Sequence, residues 1–201
     1  MLKQRVVTAL ALLIVLLVTL WAPAHWPFQV LMAVAIALAT WEWARLCGYT
    51  GQLAVVFAGS MMAFCAAMYM ADWPVSHSLG IAQGLGLVGL SWVIGSTWML
   101  RQGVAVWQAM PAGVRMFWGM ASLGAAWLAT VQLHGRFGVW FLLSVLALVW
   151  VADICAYFAG RALGKRKLAP TISPGKSWAG VYGGLLGTCV FSLICAYLIP
   201  I

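Results

Sequence analysis

Seven long apolar runs, at 6–21, 28–46, 53–71, 79–100, 115–132, 139–162 and 178–200, decide which solvent this chain can fold in. A helix that crosses a bilayer needs about 20 mostly apolar residues, and the runs cluster around that length. Of the 201 residues, 65% are hydrophobic and 7% charged, and the mean hydropathy is +1.02. No water-soluble domain could cover such a surface. The runs lack the residue-by-residue alternation of barrel strands. The expectation is therefore an all-α, polytopic integral membrane protein of about seven transmembrane helices, forming one transmembrane domain over 1–201.

The basic residues orient these helices, because cytoplasmic loops next to a bilayer carry the excess of Lys and Arg. With the N-terminus inside, ten of the 11 fall at cytoplasmic ends: Lys3, Arg5, Arg45, Arg101, Arg115, Arg161, Lys165, Arg166, Lys167 and Lys176. Arg136 falls outside. The formal net charge of +8 is thus mainly a topology signal, and it also attracts anionic lipid headgroups. The expected location is the inner cell membrane, multi-pass, with loop 163–177 in the cytoplasm. Lys3, Arg5 and Ala22-Pro23-Ala24 imitate a cleavable leader, but the long run and the spans that follow favour a retained first helix.

Several local patterns point to bland explanations. The five cysteines form no C-x-x-C, against both a disulfide framework and a zinc site. His25, His77 and His134 fall in expected outer loops, far apart in sequence, as solvated residues. Gly84, Gly86 and Gly89 spell G-x-G-x-x-G inside an expected span, where glycines with Gly80 offer a smooth face for close helix packing. Gly175-Lys176-Ser177 resembles the end of a phosphate-binding loop, but Pro170 stands where that motif needs its first glycine.

Only three residues are acidic. Asp72, beside Trp73 and Pro74, suits a membrane interface. Glu42 has Arg45 at i+3, so a local ion pair is expected, ahead of a role as a second carboxylate at a site. Asp153 lies two turns before Arg161, roughly 12 Å along a helix, which places it within or at the edge of the hydrocarbon. Asp153, Tyr157 and Arg161 are spaced i, i+4, i+8 and share one face. A carboxylate there must turn toward protein, water, a cation or a polar ligand. It suits either an interhelical hydrogen bond or a cavity open to the cytoplasm. The basic loop beyond it ends in Ser173-Pro174, a pattern for a helix N-cap and first helical residue. Gly175 and Lys176 would then sit in the first turn, where free N–H groups and the dipole favour an anion. Gly175 permits close backbone approach, Lys176 supplies a fixed charge, and Lys165, Arg166 and Lys167 supply more. Positive-inside charge with simple helix capping is the competing explanation.

The run Ala152-Asp153, Ala156-Tyr157-Phe158-Ala159-Gly160-Arg161, Gly164-Lys165, Lys167-Leu168-Ala169-Pro170, Ser173-Pro174-Gly175-Lys176-Ser177-Trp178, Gly180 and Gly183-Gly184 resembles the phosphatidate cytidylyltransferases, the CDP-diacylglycerol synthases of membranes. The opening MLKQRVVTAL and WEWARL at 41–46 agree with it. The resemblance implies transfer of a cytidylyl group from CTP to phosphatidic acid, giving CDP-diacylglycerol and pyrophosphate in phospholipid biosynthesis. It implies Mg2+ as cofactor, Asp153 and Lys176 as catalytic residues, and Asp153 as a metal ligand. Phosphate binding would fall to Ser173, Gly175, Lys176, Ser177, Lys165, Arg166 and Lys167. CTP, phosphatidic acid and anionic lipids are the expected partners, with a homo-oligomer open and no nucleic acid. The family's C-terminal signature, with its Lys-Asp pair, His-Gly-Gly and Asp-Arg, has no counterpart in this sequence. A partial synthase, inactive alone and lacking the main metal ligands, is thus expected. A non-enzymatic lipid-binding or scaffolding protein and a small transporter are the alternatives.

Overall fold

The computed structural model describes residues 2–73, 79–170 and 172–198, so His77 and Pro74 lie outside the described residues. The helices are α1 (Leu2–Leu20), α2 (Trp26–Leu46), α3 (Gln52–Met70), α4 (Leu79–Gln102), the short α5 (Val104–Ala109), α6 (Ala112–Leu163) and α7 (Trp178–Leu198). Two short strands, β1 (Lys167–Ala169) and β2 (Ser173–Ser177), lie between α6 and α7. Five of the helices, α2, α3, α4, α6 and α7, are long and apolar enough to cross a membrane, and α1 adds a shorter apolar stretch at Val6–Leu20. The protein is a polytopic helical membrane protein.

Two expected spans, 115–132 and 139–162, are arms of the one 52-residue helix α6. At about 1.5 Å per residue its full length would be roughly 78 Å, more than twice a hydrocarbon core of about 30 Å. It is interrupted at Gly138, where φ is 79° and ψ is −177°. That backbone is open almost only to glycine. The arms 112–137 and 139–163 each exceed the length a crossing needs. The loop expected around His134 and Arg136 is therefore helix, interrupted at Gly138.

Two compact units make up the chain, 1–90 with 111–139, and 91–110 with 140–201. In the first, Phe28, Ala33, Ile36, Ala37 and Ala44 of α2 are buried with Ala54, Met61 and Cys65 of α3 and with Met116, Trp127, Leu128 and Val131 of the first α6 arm. Small residues allow the close approaches. The Trp43 indole occupies the space a Cβ at Gly119 would need, and its Nε1 donates to the Arg115 carbonyl at 3.0 Å. Trp127 Nε1 donates to the Gln29 carbonyl at 3.2 Å, giving a buried indole its partner.

Sequence-based expectations for His134 and Glu42 need correction in this unit. His134 is buried, only 3% exposed, with Nε2 3.2 Å from the Leu20 carbonyl. His25 is exposed in the turn between α1 and α2, as expected of a loop residue, but its ring lies beside that of His134, the centroids 5.1 Å apart. Helix continuation through residue 134 is the reason, since it turns that side chain inward. Arg45 lies 4.9 Å over the Trp41 ring, and among the described residues Glu42 forms no ion pair. The aromatic face at i−4 wins over the carboxylate at i−3. Asp72 is exposed, with φ 55°, at the C-terminal turn of α3, where Trp73 N–H donates to the Met68 carbonyl at 3.1 Å. That is the left-handed helix terminus Asp tolerates better than most residues.

The glycines of α4 do not form a close-packed face. A Cβ at Gly80, Gly84, Gly86 or Gly89 would meet nothing within 4 Å, and Gly80 and Gly84 border a cavity of about 500 Å³ with Gly124. Close packing by glycine falls instead at Gly119 and Gly124 of α6 and, in the second unit, along α7.

Candidate functional site

In the second unit the second α6 arm and α7 meet through small residues. A Cβ at Gly180 would lie 3.0 Å from the Ala156 carbonyl, one at Gly183 would strike Ala159 Cβ, and one at Gly184 would lie 3.2 Å from the Ala152 carbonyl. At Gly187 it would meet Cys155. Glycine at these four positions lets the helix backbones nearly touch, as at other small-residue membrane interfaces. Tight contact leaves little freedom for the segment that joins the helices.

That segment is a β-hairpin, and here the structure overturns the expected helix start. Lys167 pairs with Ser177 and Ala169 with Ser173, antiparallel and with an irregularity between the pairs. Pro174 and Gly175 fall in the irregular stretch, where a missing N–H costs no ladder bond. Ser173 is therefore a strand residue rather than a helix cap. Helix α7 begins five residues later, at Trp178, and its cap is Ser177, whose Oγ accepts the Gly180 N–H at 3.3 Å. The available partner strand at Lys167–Ala169 outcompetes a helical turn that would have ended in Gly175. Lys176 accordingly sits just before the cap, not in the first turn.

The hairpin sorts the expected phosphate-binding residues. Ser177 is only 4% exposed, and its Oγ is 3.1 Å from a Cβ position at Gly160 and 2.6 Å from one at Gly164. It ties together the end of α6, the hairpin and the start of α7. Lys165, Arg166, Lys167, Gly175 and Lys176 are exposed, and Ser173 is half-buried. Arg166 stacks 5.7 Å from the Trp178 ring centroid, and its carbonyl accepts the Trp178 N–H at 3.0 Å. A Cβ at Gly175 would meet nothing within 4 Å, so that surface is open. The arrangement presents cations to solvent beside the start of α7, whose Trp178 and Gly180 N–H groups are already taken by the Arg166 carbonyl and Ser177 Oγ, and the exposed charge suits an anion.

Asp153 is exposed on the second α6 arm, as are Tyr157 and Arg161 one and two turns on. The α6 residues against α7 are Ala152, Cys155, Ala156, Ala159 and Gly160, so the three polar residues occupy the side that α7 leaves uncovered. Arg161 Nη1 donates to the Tyr157 hydroxyl at 3.2 Å. Sequence reasoning placed these residues on one face but assigned no role to Tyr157 or Arg161. The i, i+4 spacing of a phenol and a guanidinium was the available signal. Among the described residues no group of three or more His, Cys, Asp or Glu converges. Asp153 offers one carboxylate, enough for Mg2+ held chiefly by substrate phosphates and water, and too little for an all-protein cage.

The chain is similar to several phosphatidate cytidylyltransferases. A phosphatidate cytidylyltransferase of Pseudomonas aeruginosa is 38% identical over 190 residues, covering 92% of this chain and 67% of the relative. One from Haemophilus influenzae is 31% identical, covering 96% of this chain and 72% of its own. Another, from Brucella suis, is 30% identical over 98% of this chain and 68% of the relative. No solved structure matches. The cytidylyltransferase family pattern matches residues 3–201, which takes in the glycine-packed helix pair, the basic hairpin and the Asp153 face alike, and this chain belongs to that family.

Proposed function

We propose that this protein transfers a cytidylyl group from CTP to phosphatidic acid at the cytoplasmic face of the inner membrane. The carrying observation is the exposed cationic hairpin, Lys165 to Lys176, rigidly joined to two glycine-packed helices one of which bears Asp153. A phosphate oxygen of phosphatidate attacks the α-phosphorus of CTP, and a new P–O bond forms. The bond from the α-phosphorus to the bridging oxygen of the β-phosphate breaks, and its electrons leave with pyrophosphate. Such transfer between two polyanions needs positioning and positive charge.

Lys176, next to the α7 N-terminus, holds a phosphate of the nucleotide, and Ser173 lends a hydroxyl. Gly175 lets that phosphate approach backbone. Ser177 acts through its cap, by fixing the direction of the α7 N–H groups. Lys165, Arg166 and Lys167 draw the anions in through a field that salt screens within about 8 Å at physiological strength. Asp153 is the side chain that would hold Mg2+, which when bound would neutralise charge on the transferring phosphates. The basic-residue asymmetry supports a cytoplasmic N-terminus and hairpin.

Equilibrium binding of CTP and of phosphatidate across a salt series tests the site, and CTP-dependent conversion of labelled phosphatidate tests the reaction. Lys176→Ala is expected to weaken CTP binding at every salt concentration. Neutralising 165–167 is expected to lower affinity modestly and flatten its salt dependence. If Lys176→Ala binds both ligands like the parent, the hairpin is a topology anchor and the phosphate site fails.

A further inference from the structure

The hairpin faces solvent, yet one of the two proposed substrates never leaves the bilayer. A phosphomonoester lipid presents its phosphate at headgroup depth with its chains beside the protein, so its contacts must lie on a helix surface near a membrane boundary. The second α6 arm ends at Leu163, which places Arg161 in its last turn and Tyr157 one turn deeper. Both are exposed, Tyr157 by 58%, on the side that α7 leaves open.

The pair is organised rather than merely near. Arg161 spends one donor on the Tyr157 hydroxyl at 3.2 Å, which fixes the guanidinium against the helix and leaves its other N–H groups directed elsewhere. The phenol accepts that bond, so its own O–H remains a donor, with no acceptor among the described residues. A guanidinium and a phenol O–H side by side suit a doubly charged phosphate, which accepts several hydrogen bonds. The apolar part has a seat next to them. Tyr157 contacts Phe158 edge-on at 5.4 Å, and Phe158 with Ile154, Leu186 and Phe191 lines a groove of about 580 Å³ between the second α6 arm and α7. Because α7 runs back from the hairpin, this groove leads away from Arg161 along the helices.

Resting on the cytidylyl-transfer function proposed above, we infer that Tyr157 and Arg161 form the subsite for the phosphate of the lipid substrate, with one acyl chain along the Phe158–Phe191 groove, leaving the hairpin to the nucleotide. Two substrates thus enter by two routes, one lateral from the bilayer and one from water. Arg161 clamps the lipid phosphate, and Tyr157 both donates to it and keeps the guanidinium in place.

The test is binding to the full chain in phosphatidylcholine nanodiscs, without CTP, of phosphatidate, inorganic phosphate and a neutral diacylglycerol. Arg161→Ala is expected to lose phosphatidate affinity on the order of tenfold or more, as for loss of charge-assisted hydrogen bonds, with CTP affinity unchanged. Arg161→Lys should recover part of the loss, since it keeps charge without the planar fork. Tyr157→Phe should cost several-fold. Phosphatidate should bind far better than inorganic phosphate, which lacks a chain, or diacylglycerol, which lacks the anion. Thermal unfolding should be unchanged, because both side chains are exposed. The inference is overturned if all three variants bind phosphatidate like the parent, if they lose CTP equally, or if inorganic phosphate binds as well as the lipid. Loss of binding in Lys176→Ala with none in these variants would overturn the subsite while leaving the nucleotide site standing.

Discussion

Replacing Gly175 by alanine separates a ligand-approach role from a structural one, because the two predict opposite signs. The residue is exposed in the irregular part of the hairpin, and a Cβ built there meets nothing within 4 Å. Its φ is not in the left-handed range, unlike that of Gly48, Gly51, Gly103 or Gly138. Alanine therefore fits the unliganded backbone without strain. Where that holds, Gly→Ala stabilises by about 0.4–1 kcal/mol, by restricting the unfolded chain. At about 2–4 °C per kcal/mol for a chain of this size, thermal unfolding in detergent should rise by roughly 1–4 °C. Phosphate binding should go the other way. A methyl between backbone and anion denies a charge-assisted hydrogen bond worth about 1.5–3 kcal/mol, or roughly ten- to a hundredfold in CTP affinity. The assay is paired, unfolding temperature and CTP dissociation constant on the same preparation. Unchanged CTP affinity would refute the view that a phosphate approaches Gly175, and a lower unfolding temperature would refute the open geometry described for it.

Asp153→Asn should abolish most cytidylyl transfer in a catalytically competent preparation and leave thermal unfolding near the parent value, since the carboxylate is exposed; near-normal turnover would remove Asp153 from the reaction. Gly183→Ala places a methyl against Ala159 Cβ and 3.0 Å from the Cys155 carbonyl, so unfolding should show a loss of about 1–3 kcal/mol. At Gly138 the same substitution meets no atom within 4 Å but is forced to φ 79°, costing about 1–3 kcal/mol through strain alone. The two glycine variants should differ when a second change enlarges the local space. Cys155→Ala should relieve neither Gly138→Ala nor the carbonyl contact at Gly183, whereas Ala159→Gly should rescue Gly183→Ala in part.

The apolar runs made the membrane helices legible, because burial in lipid leaves a signal of sequence composition that needs no tertiary knowledge. Helix identity came through even where boundaries did not. The merged α6 was not legible, since Leu133-His134-Gly135-Arg136-Phe137, polar and with a glycine, reads as a loop between spans, yet the helix continues through it to the interruption at Gly138. His134 was misjudged for the same reason, as one more turn of helix moves a side chain from water to core. The hairpin was missed because Ser-Pro is a fair helix start in isolation, and its pairing with Lys167–Ala169 is a non-local fact that local propensity does not contain. The phosphate residues were visible as a group through charge and the family resemblance. Their division into an exposed set and the buried cap Ser177 was not, because Gly160 and Gly164 had to be brought against it first.

That last contact explains why so many glycines lie so near the hairpin. An anion site made from lysines on a loop would be floppy, since each long side chain loses entropy on binding and nothing fixes their spacing. Here the spacing is set from below. Gly180, Gly183, Gly184 and Gly187 hold α7 against the second α6 arm at backbone distance, and neither helix can slide without a carbonyl meeting an α-carbon. Gly160 and Gly164 then leave just enough room for the Ser177 hydroxyl, whose bond to Gly180 N–H sets where α7 begins. Lys176 precedes that hydroxyl by one residue and Trp178, which receives the Arg166 side chain over its ring, follows by one. The backbone on either side of Ser177, and the Arg166 side chain over Trp178, are thus placed by helix packing in the membrane rather than by the loop alone. Any larger residue in the glycine set should reach the nucleotide through the hairpin, raising its dissociation constant without touching a residue that contacts it.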